Sequence, residues 1–495
     1  MAKKVALISL YAGSARGIPP LGSLYLATAL KKKGIGAKIF HADAGQLEEL
    51  ISKIRSYCPD LAGMSVFTGH LNKKYVQLSK ELKKEGYQTV WGNAHPSLLP
   101  NEVLKENYVD FIIIGEGEEA LAELAESLDA RDQFARIKNL GYKDDSGGIH
   151  INPRREFSDI DEYLIDWSLI NLEEYIIPYF SGRFQRTLAV VSSRGCPYNC
   201  QFCYNLVFNN RRWRAHSPEK IAANLEPIIK KYGIEAIRFL DDNFFVDKER
   251  AFKIVEALGL PFSADCRVEY ITEDFVSRLK SAKCLELTFG FESGSDRILK
   301  EVIKKGTGTA EIIRAVTLLS GSGIIASAGI IFGAPTETKS EYLETLNFII
   351  RLLKINPNLA FTCGWFLPYP GTGLYEKSKE LGFRPPQSIE EWDKFDRWRD
   401  DYEMEWVGWD AKRAVKYSRR FVHLLALAYK RNIPILKSLL KWRAGRANFS
   451  FPLDIYIFSR LRQIYLFESG EKAHNRIIKK ILNFIIKSAR AAKKI

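Results

Sequence analysis

Arg194-Gly-Cys-Pro-Tyr-Asn-Cys-Gln-Phe-Cys-Tyr204 places three cysteines, Cys196, Cys200 and Cys203, within eight residues. Three protein ligands leave one position of a metal site open, whereas a structural zinc site closes with four ligands and a plain electron-transfer [4Fe–4S] cluster takes four cysteines. His216, thirteen residues on, is the one nearby side chain able to replace a missing thiolate, and it has no second His at ligand spacing. On spacing alone the run reads as an open-sided metal site, a zinc knuckle or three small buried thiols. Its setting points to a fold. Strands are expected at Leu188–Ser192, Ala236–Leu240, Phe262–Val268, Leu285–Phe291, Ile324–Phe332 and Ala360–Leu367, each separated from the next by a helical pattern. In barrels of parallel strands the chemistry sits at the strands' carboxyl ends, and the cysteine run follows the first strand.

Upstream, residues 1–128 also alternate strand and helix patterns. Strands are expected at Val5–Ser9, Ala37–Phe40, Leu61–Val66, Thr89–Trp91 and Phe111–Ile114. Helices are expected from about Pro20 and at Leu47–Ser56, Asn72–Lys84 and Glu118–Ser127. That alternation predicts an open parallel sheet with helices on both faces, whose ligands bind beyond the carboxyl ends of the strands. Small or polar residues gather at those ends in Ala12–Gly17, Ser65–Gly69, Gly92–Pro96 and Gly115–Glu118. Glycines at single turns are often backbone necessities, but four such segments along one edge favour a bound cofactor.

Between 129 and 186 the periodicity breaks, and Asn139–Ile151 reads as a hairpin turning across Asp144–Gly148. The expected organisation is a sheet domain over 1–128, a linker with a hairpin over 129–186, a series of six β/α units over 187–395 and a basic helical region over 396–495. At 495 residues and 46% hydrophobic, the chain can bury several cores. Cys58, Cys266, Cys284 and Cys363 are scattered, which suits a reducing cytosol better than a disulfide framework. The N-terminal apolar run is too short for a signal peptide and reads as a strand, and no segment approaches about 18 consecutive apolar residues. The net charge of +14 is uneven: residues 411–495 carry 21 Lys+Arg against three acids, +18, leaving −4 for the rest. In the last helix Arg476, Lys480, Asn483, Lys487, Arg490 and Lys494 share a face opposite Ile478, Ile481, Leu482 and Ile485. Such a helix reads either as a lid with a solvated basic face or as a surface for anionic lipid. Recognised RNA-binding modules are absent, which disfavours nucleic acid.

The C-x3-C-x2-C spacing, with Phe202 before the third cysteine, resembles the signature of the radical S-adenosylmethionine (SAM) superfamily. Pro19–Leu26, Gly92–Pro96 and Gly115–Glu119 are similar to motifs of its cobalamin-binding family. The resemblance implies a partial six-stranded barrel, one [4Fe–4S] cluster on Cys196, Cys200 and Cys203, SAM and cobalamin. For SAM it points to Phe202, Asp241, Asp242, Arg267, Glu292, Ser293 and, within Gly329–Glu337, Ile331. Arg267 also reads as half of an interior ion pair with Glu269 or Glu292. For cobalamin it points to Leu21, Gly22, Ser65, Thr68, Gly92, Asn93, His95, Gly115, Glu116 and Gly117. The Asp-x-His-x-x-Gly sequence of methionine-synthase-type domains is absent, so no histidine ligand to cobalt is expected. A fourth thiolate would block SAM, so Cys363 is expected to be a buried thiol. The implied activity is methyl transfer to an unactivated carbon through a 5′-deoxyadenosyl radical and methylcobalamin. Its rivals are oxidative cyclisation or carbon–carbon coupling, as in anaerobic magnesium-porphyrin cyclase relatives, and a sensor without turnover. The resemblance implies an external electron donor such as flavodoxin or ferredoxin, and the basic C-terminal region points to a small-molecule or lipid-like substrate and to peripheral contact with an anionic membrane from the cytoplasm.

Overall fold

A computed structural model describes residues 3–13, 17–179, 183–395, 404–409 and 412–446. The first sheet grows from β1 (Lys4–Tyr11), α1 (Leu21–Lys32), β2 (Gly36–Asp43), α2 (Leu47–Tyr57), β3 (Leu61–Ser65), α3 (Asn72–Lys84) and β4 (Gln88–Gly92). Two short helices, α4 (Ala94–Leu98) and α5 (Pro100–Leu104), lead to β5 (Phe111–Ile113) and α6 (Glu118–Glu126). Val5 to Ile8 are all buried, and alternate residues enter different cores. Val5 and Leu7 join Ala27, Leu30 and Leu124, while Ala6 and Ile8 join Leu50, Ile54, Val76 and Leu82. A strand covered on both faces requires such a continuous apolar run.

The strand order is β2-β1-β3-β4-β5, all parallel, so the direction of winding reverses between β1 and β3 and opens a crevice at their carboxyl ends. The hairpin expected across Asp144–Gly148 forms as β6 (Leu140–Lys143) and β7 (Ile149–Ile151). Asp144 Oδ1 accepts the N–H groups of Ser146 at 2.9 Å and Gly148 at 2.8 Å. It does more than connect: β6 pairs antiparallel with β5 and extends the first sheet, covering an edge that would otherwise be exposed.

The second sheet runs β16-β15-β14-β13-β12-β9-β8. Its strands are β8 (Ile177–Tyr179), β9 (Phe184–Val190), β12 (Ala236–Phe239), β13 (Phe262–Cys266), β14 (Cys284–Glu292), β15 (Ile325–Phe332) and β16 (Ala360–Trp365). A two-stranded ribbon, β10 (Ser193–Arg194) with β11 (Arg214–Ala215), stands at its mouth. The helices α7 (Pro218–Tyr232), α8 (Lys248–Leu258), α9 (Glu273–Ser281), α10 (Thr309–Leu319) and α11 (Lys339–Ile355) connect successive strands, and α12 (Gly373–Glu380) follows β16. Six strands are parallel and each neighbours its successor, the progression of a curling half-barrel. The added strand β8 pairs antiparallel with β9, whose sequence signal began only at Leu188.

Of two basic helices, α13 (Lys412–Lys430) packs on β16 and α11, and α14 (Pro434–Arg446) packs on α11 and α13, with Phe421, Val422, Leu425, Leu440 and Ala444 buried in the same core. The amphipathic helix expected over 476–494 lies outside the described residues. Among the described residues no helix is long and apolar enough to cross a membrane.

Candidate functional site

The cysteine loop leaves the half-barrel through the β10 ribbon. Gly195 has φ +80°, and a Cβ there would meet the Arg212 carbonyl oxygen at 2.1 Å, so only glycine permits this turn. Its N–H donates to Asp242 Oδ2 at 3.0 Å. At mid-loop the Gln201 N–H donates to the Ile303 carbonyl at 2.8 Å, and the Leu374 N–H donates to the Gln201 carbonyl at 3.1 Å. The loop is thereby tied to segments that follow β14 and β16.

Beside Cys200 stand two cations. The Arg267 guanidinium lies 3.6 Å from the centre of the Tyr198 ring, with Nη1 3.8 Å from Cys200 Sγ and Nη2 donating to the Lys305 carbonyl at 2.5 Å. Its Nε bonds Glu269, so the expected interior ion pair is formed with Glu269 and not with Glu292. Glu292 instead receives Lys305 Nζ at 3.0 Å, and both side chains are buried. Glu292 reaches Lys305 from a bulge in β14 with φ +59°, and Gly290 makes room for it: a Cβ there would lie 2.0 Å from Glu292 Oε1.

The two aspartates after β12 divide. Asp241 is buried and takes the N–H of Ser192 at 3.0 Å, its hydroxyl at 2.8 Å and the Ser193 hydroxyl, knitting the ends of β9 and β12 together. Asp242 faces the cysteine loop. Ser293 is also committed within the protein, to the Ser295 N–H at 3.1 Å and the Thr345 hydroxyl at 3.2 Å. Phe202 and Ile331 are half-buried against the barrel core. Cys363 is fully buried, as expected. His216 is no metal ligand: its Nε2 meets the Tyr25 hydroxyl at 3.0 Å and its Nδ1 meets Asp161 at 3.1 Å.

Across from the loop lies a cleft open to solvent. Leu21, Gly22, Ser65, Gly92, Asn93, Gly115, Glu116 and Gly117 line it from the first sheet, and Arg194, Gly195, Tyr204, Phe208 and Asp242 line it from the barrel side. Two expected contacts turn away. His95 is buried between Trp91 and Trp392, 3.1 Å from Thr68 Oγ1, and neither His95 nor Thr68 lines the cleft. Burial lowers the His95 pKa to about 3 and keeps the ring neutral. Glu116 lines the cleft, but its carboxylate is already taken by Arg194 at 2.8 Å and Arg214 at 2.9 Å.

Two family models match this chain, Radical SAM superfamily over residues 190–349 and B12 binding domain over residues 10–125. An uncharacterized methyltransferase of Pyrococcus horikoshii is 31% identical over 373 residues, 72% of this chain and 78% of that protein. The chain belongs to the cobalamin-binding radical SAM family. The anaerobic magnesium-protoporphyrin IX monomethyl ester cyclase of Cereibacter sphaeroides is 27% identical over 383 residues, 73% of this chain and 60% of that protein. The fold is similar to the radical SAM methyltransferase TsrM from Kitasatospora setae, solved with cobalamin and a [4Fe–4S] cluster bound. The TM-score is 0.66 at 17% identity, covering 90% of this chain and 100% of that one.

The protein is therefore a radical SAM enzyme whose cofactors are a [4Fe–4S] cluster, SAM and cobalamin, and its residues fit these groups. Burial raises the Cys203 pKa to about 12 and that of Cys196 above its usual value, so both stay protonated without a metal to supply positive charge. Among the described residues no three His, Cys, Asp or Glu side chains converge on a single ion. A cubane suits the loop better, because it takes its three thiolates on three separate irons. On the cleft side, Gly22 and Gly92 have ordinary φ, and a Cβ at either would meet nothing within 4 Å. Neither backbone nor packing demands glycine there, so their smallness leaves room for a ligand in the cleft. Sequence reasoning assigned no role to Lys305, Arg194 or Glu118. Arg194 and Glu118 stand inside the quoted motifs, but Lys305 gives no local signal.

Proposed function

We propose that this enzyme transfers a methyl group to an unactivated carbon of a small molecule held between the cysteine loop and the first sheet. The observation that carries the reading is the shared wall. Residues of the cysteine loop and residues at the strand ends of the first sheet line one cleft, so two cofactors would face one substrate. When bound, the reduced cluster with SAM supplies a hydrogen-abstracting radical and cobalamin supplies the methyl group.

The chain's own part is to hold, orient and exclude water. Cys196, Cys200 and Cys203 would hold the cluster. Arg267 and Lys305 place buried positive charge beside Cys200, and Asp242 fixes the start of the loop through the Gly195 N–H. Glu292 and Asp242 offer acceptors toward the amino and ribose groups of SAM. Leu7, Leu21, Leu26, Met64 and Val90 give the cleft an apolar lining that excludes water. A saturated carbon requires no general base, and none is assigned. An external low-potential donor of the flavodoxin or ferredoxin class would reduce the cluster. Residues 412–446 carry eleven Lys+Arg and no acid, which supports an anionic or lipid-like substrate.

The test is anaerobic reconstitution with iron, sulfide and cobalamin. It is followed by turnover of methyl-deuterated SAM with a small-molecule extract under reducing conditions. Methyl transfer yields S-adenosylhomocysteine beside 5′-deoxyadenosine and a deuterated product. Substrate-dependent 5′-deoxyadenosine without S-adenosylhomocysteine would exclude it.

A further inference from the structure

Arg194 stands two residues before Cys196, yet its side chain belongs to the other half of the molecule. Nη1 lies 2.8 Å from Glu116 Oε1 and Nη2 lies 2.7 Å from Glu118 Oε1, while the guanidinium plane sits 4.2 Å from the centre of the Tyr25 ring. Glu116 and Glu118 flank the start of α6, just beyond β5, and Tyr25 belongs to α1. One residue of the ribbon that carries the cysteine loop is thus gripped by two elements at the cleft edge of the first sheet. Arg214, its partner in the ribbon, adds a second ion pair to Glu116 at 2.9 Å and stacks on Phe157 at 3.8 Å. The Tyr25 hydroxyl is anchored in turn by His216 and Asp161.

The exposures are 17% for Arg194, 11% for Glu116 and 6% for Glu118. Burial pushes the Glu118 carboxyl up, but Arg194 outweighs it and holds the group below its ordinary value, so the charges persist. Buried ion pairs add little net stability compared with apolar packing, and their best-attested use is to fix register. A guanidinium suits that use because its planar, rigid set of N–H donors can hold two carboxylates at once, which fixes direction as well as distance.

We propose that Arg194 is a positioning residue that sets the spacing and angle between the two cofactor sites, through its fork onto Glu116 and Glu118. The proposal rests on the two cofactor sites and holds whatever group is transferred.

The experiment compares the wild type with Arg194→Lys, which keeps the charge and loses the fork, and with Glu118→Gln, which keeps the shape. Each is reconstituted with iron, sulfide and hydroxocobalamin, and iron and cobalamin per chain are measured. The cluster and cobalt are then reduced to paramagnetic states, and the electron-spin relaxation of cob(II)alamin is recorded. The reduced cluster enhances that relaxation steeply with proximity. A displacement of the order of 1 Å, the scale on which positioning fails, changes it by roughly twofold. The expected result is retained cofactors with altered relaxation in both variants. Wild-type relaxation in both variants overturns the proposal. So does loss of a cofactor from both variants, which would make the fork a plain structural brace.

Discussion

At the carboxyl end of the first sheet the ligand wall is backbone and small side chains, Gly22, Ser65, Gly92 and Asn93, and its carboxylates Glu116 and Glu118 are turned onto arginines. At the mouth of the half-barrel the wall is buried charge, with Lys305 on Glu292 and Arg267 on Glu269 beside Cys200. One edge leaves space, the other places charge. A bulky macrocycle would suit the first edge, and the cluster with SAM would suit the second. The two edges should therefore fail differently when damaged.

The sharpest separation comes from Cys200→Ser. Loss of one thiolate removes the cluster, so iron should fall from about four per chain to near zero and 5′-deoxyadenosine formation by about 100-fold or more, with cobalamin uptake unchanged. Iron retained at the wild-type level would break the assignment of the loop. Next in size is Lys305→Met, which leaves Glu292 buried and unpaired, at a cost of about 3–5 kcal/mol in urea unfolding. Adding Glu292→Gln should recover most of that. A Lys305→Met variant as stable as the wild type would show that the mouth is not held by charge pairs.

Glu337, in the loop after β15, extends the contrast to pH. Its Oε2 accepts the Gly333 N–H at 2.7 Å, and its other oxygen is buried without a partner among the described residues. Burial raises its pKa from 4.5 to about 8. Because the folded state then prefers the protonated acid, the site is least costly below about 4.5 and stability falls as pH rises to about 8, levelling beyond it. Glu337→Gln removes the ionisation, so the variant should gain on the order of 3 kcal/mol over the wild type between pH 5 and pH 8.5 in denaturation midpoints. A pH-independent difference between the two proteins would count against a buried acid at this position.

Much of this architecture was legible as periodicity. Helix Asn72–Lys84 matches its expected span, and each expected strand lies within a few residues of an observed one. Partnership was not legible. Nothing local in Leu140–Ile151 says that its hairpin completes the first sheet, because an exposed edge is a property of the assembled sheet. In the same way His95 carries the motif spacing of a cofactor contact, but Trp392, distant in the chain, closes over it. Asp241 and Ser293 stand at strand ends, but Asp241 bonds Ser192 and Ser193 while Ser293 bonds the Ser295 N–H and Thr345 on α11. Lys305 escaped notice because its significance depends on a bulge that brings Glu292 back over Gly290. The cysteine loop could be read from local spacing because its three thiols lie in one short run.

The smallest expected change in the folded protein tests the space-built edge most directly. Gly92 ends β4 with an ordinary φ, and a Cβ there would meet nothing within 4 Å. Valine suits a strand end by its β-branched shape, so Gly92→Val should shift unfolding by less than about 1 kcal/mol, within the range of substitutions that create neither cavity nor clash. Its methyl groups would occupy cleft volume, and hydroxocobalamin titrated against the variant should bind at least about tenfold more weakly, equivalent to about 1.4 kcal/mol. Gly290→Ala at the other edge should do the reverse: its methyl collides with the Glu292 carboxylate, so stability falls while cobalamin affinity stays. If Gly92→Val bound cobalamin as the wild type does, the first edge would not be the space-built site that its glycines suggest.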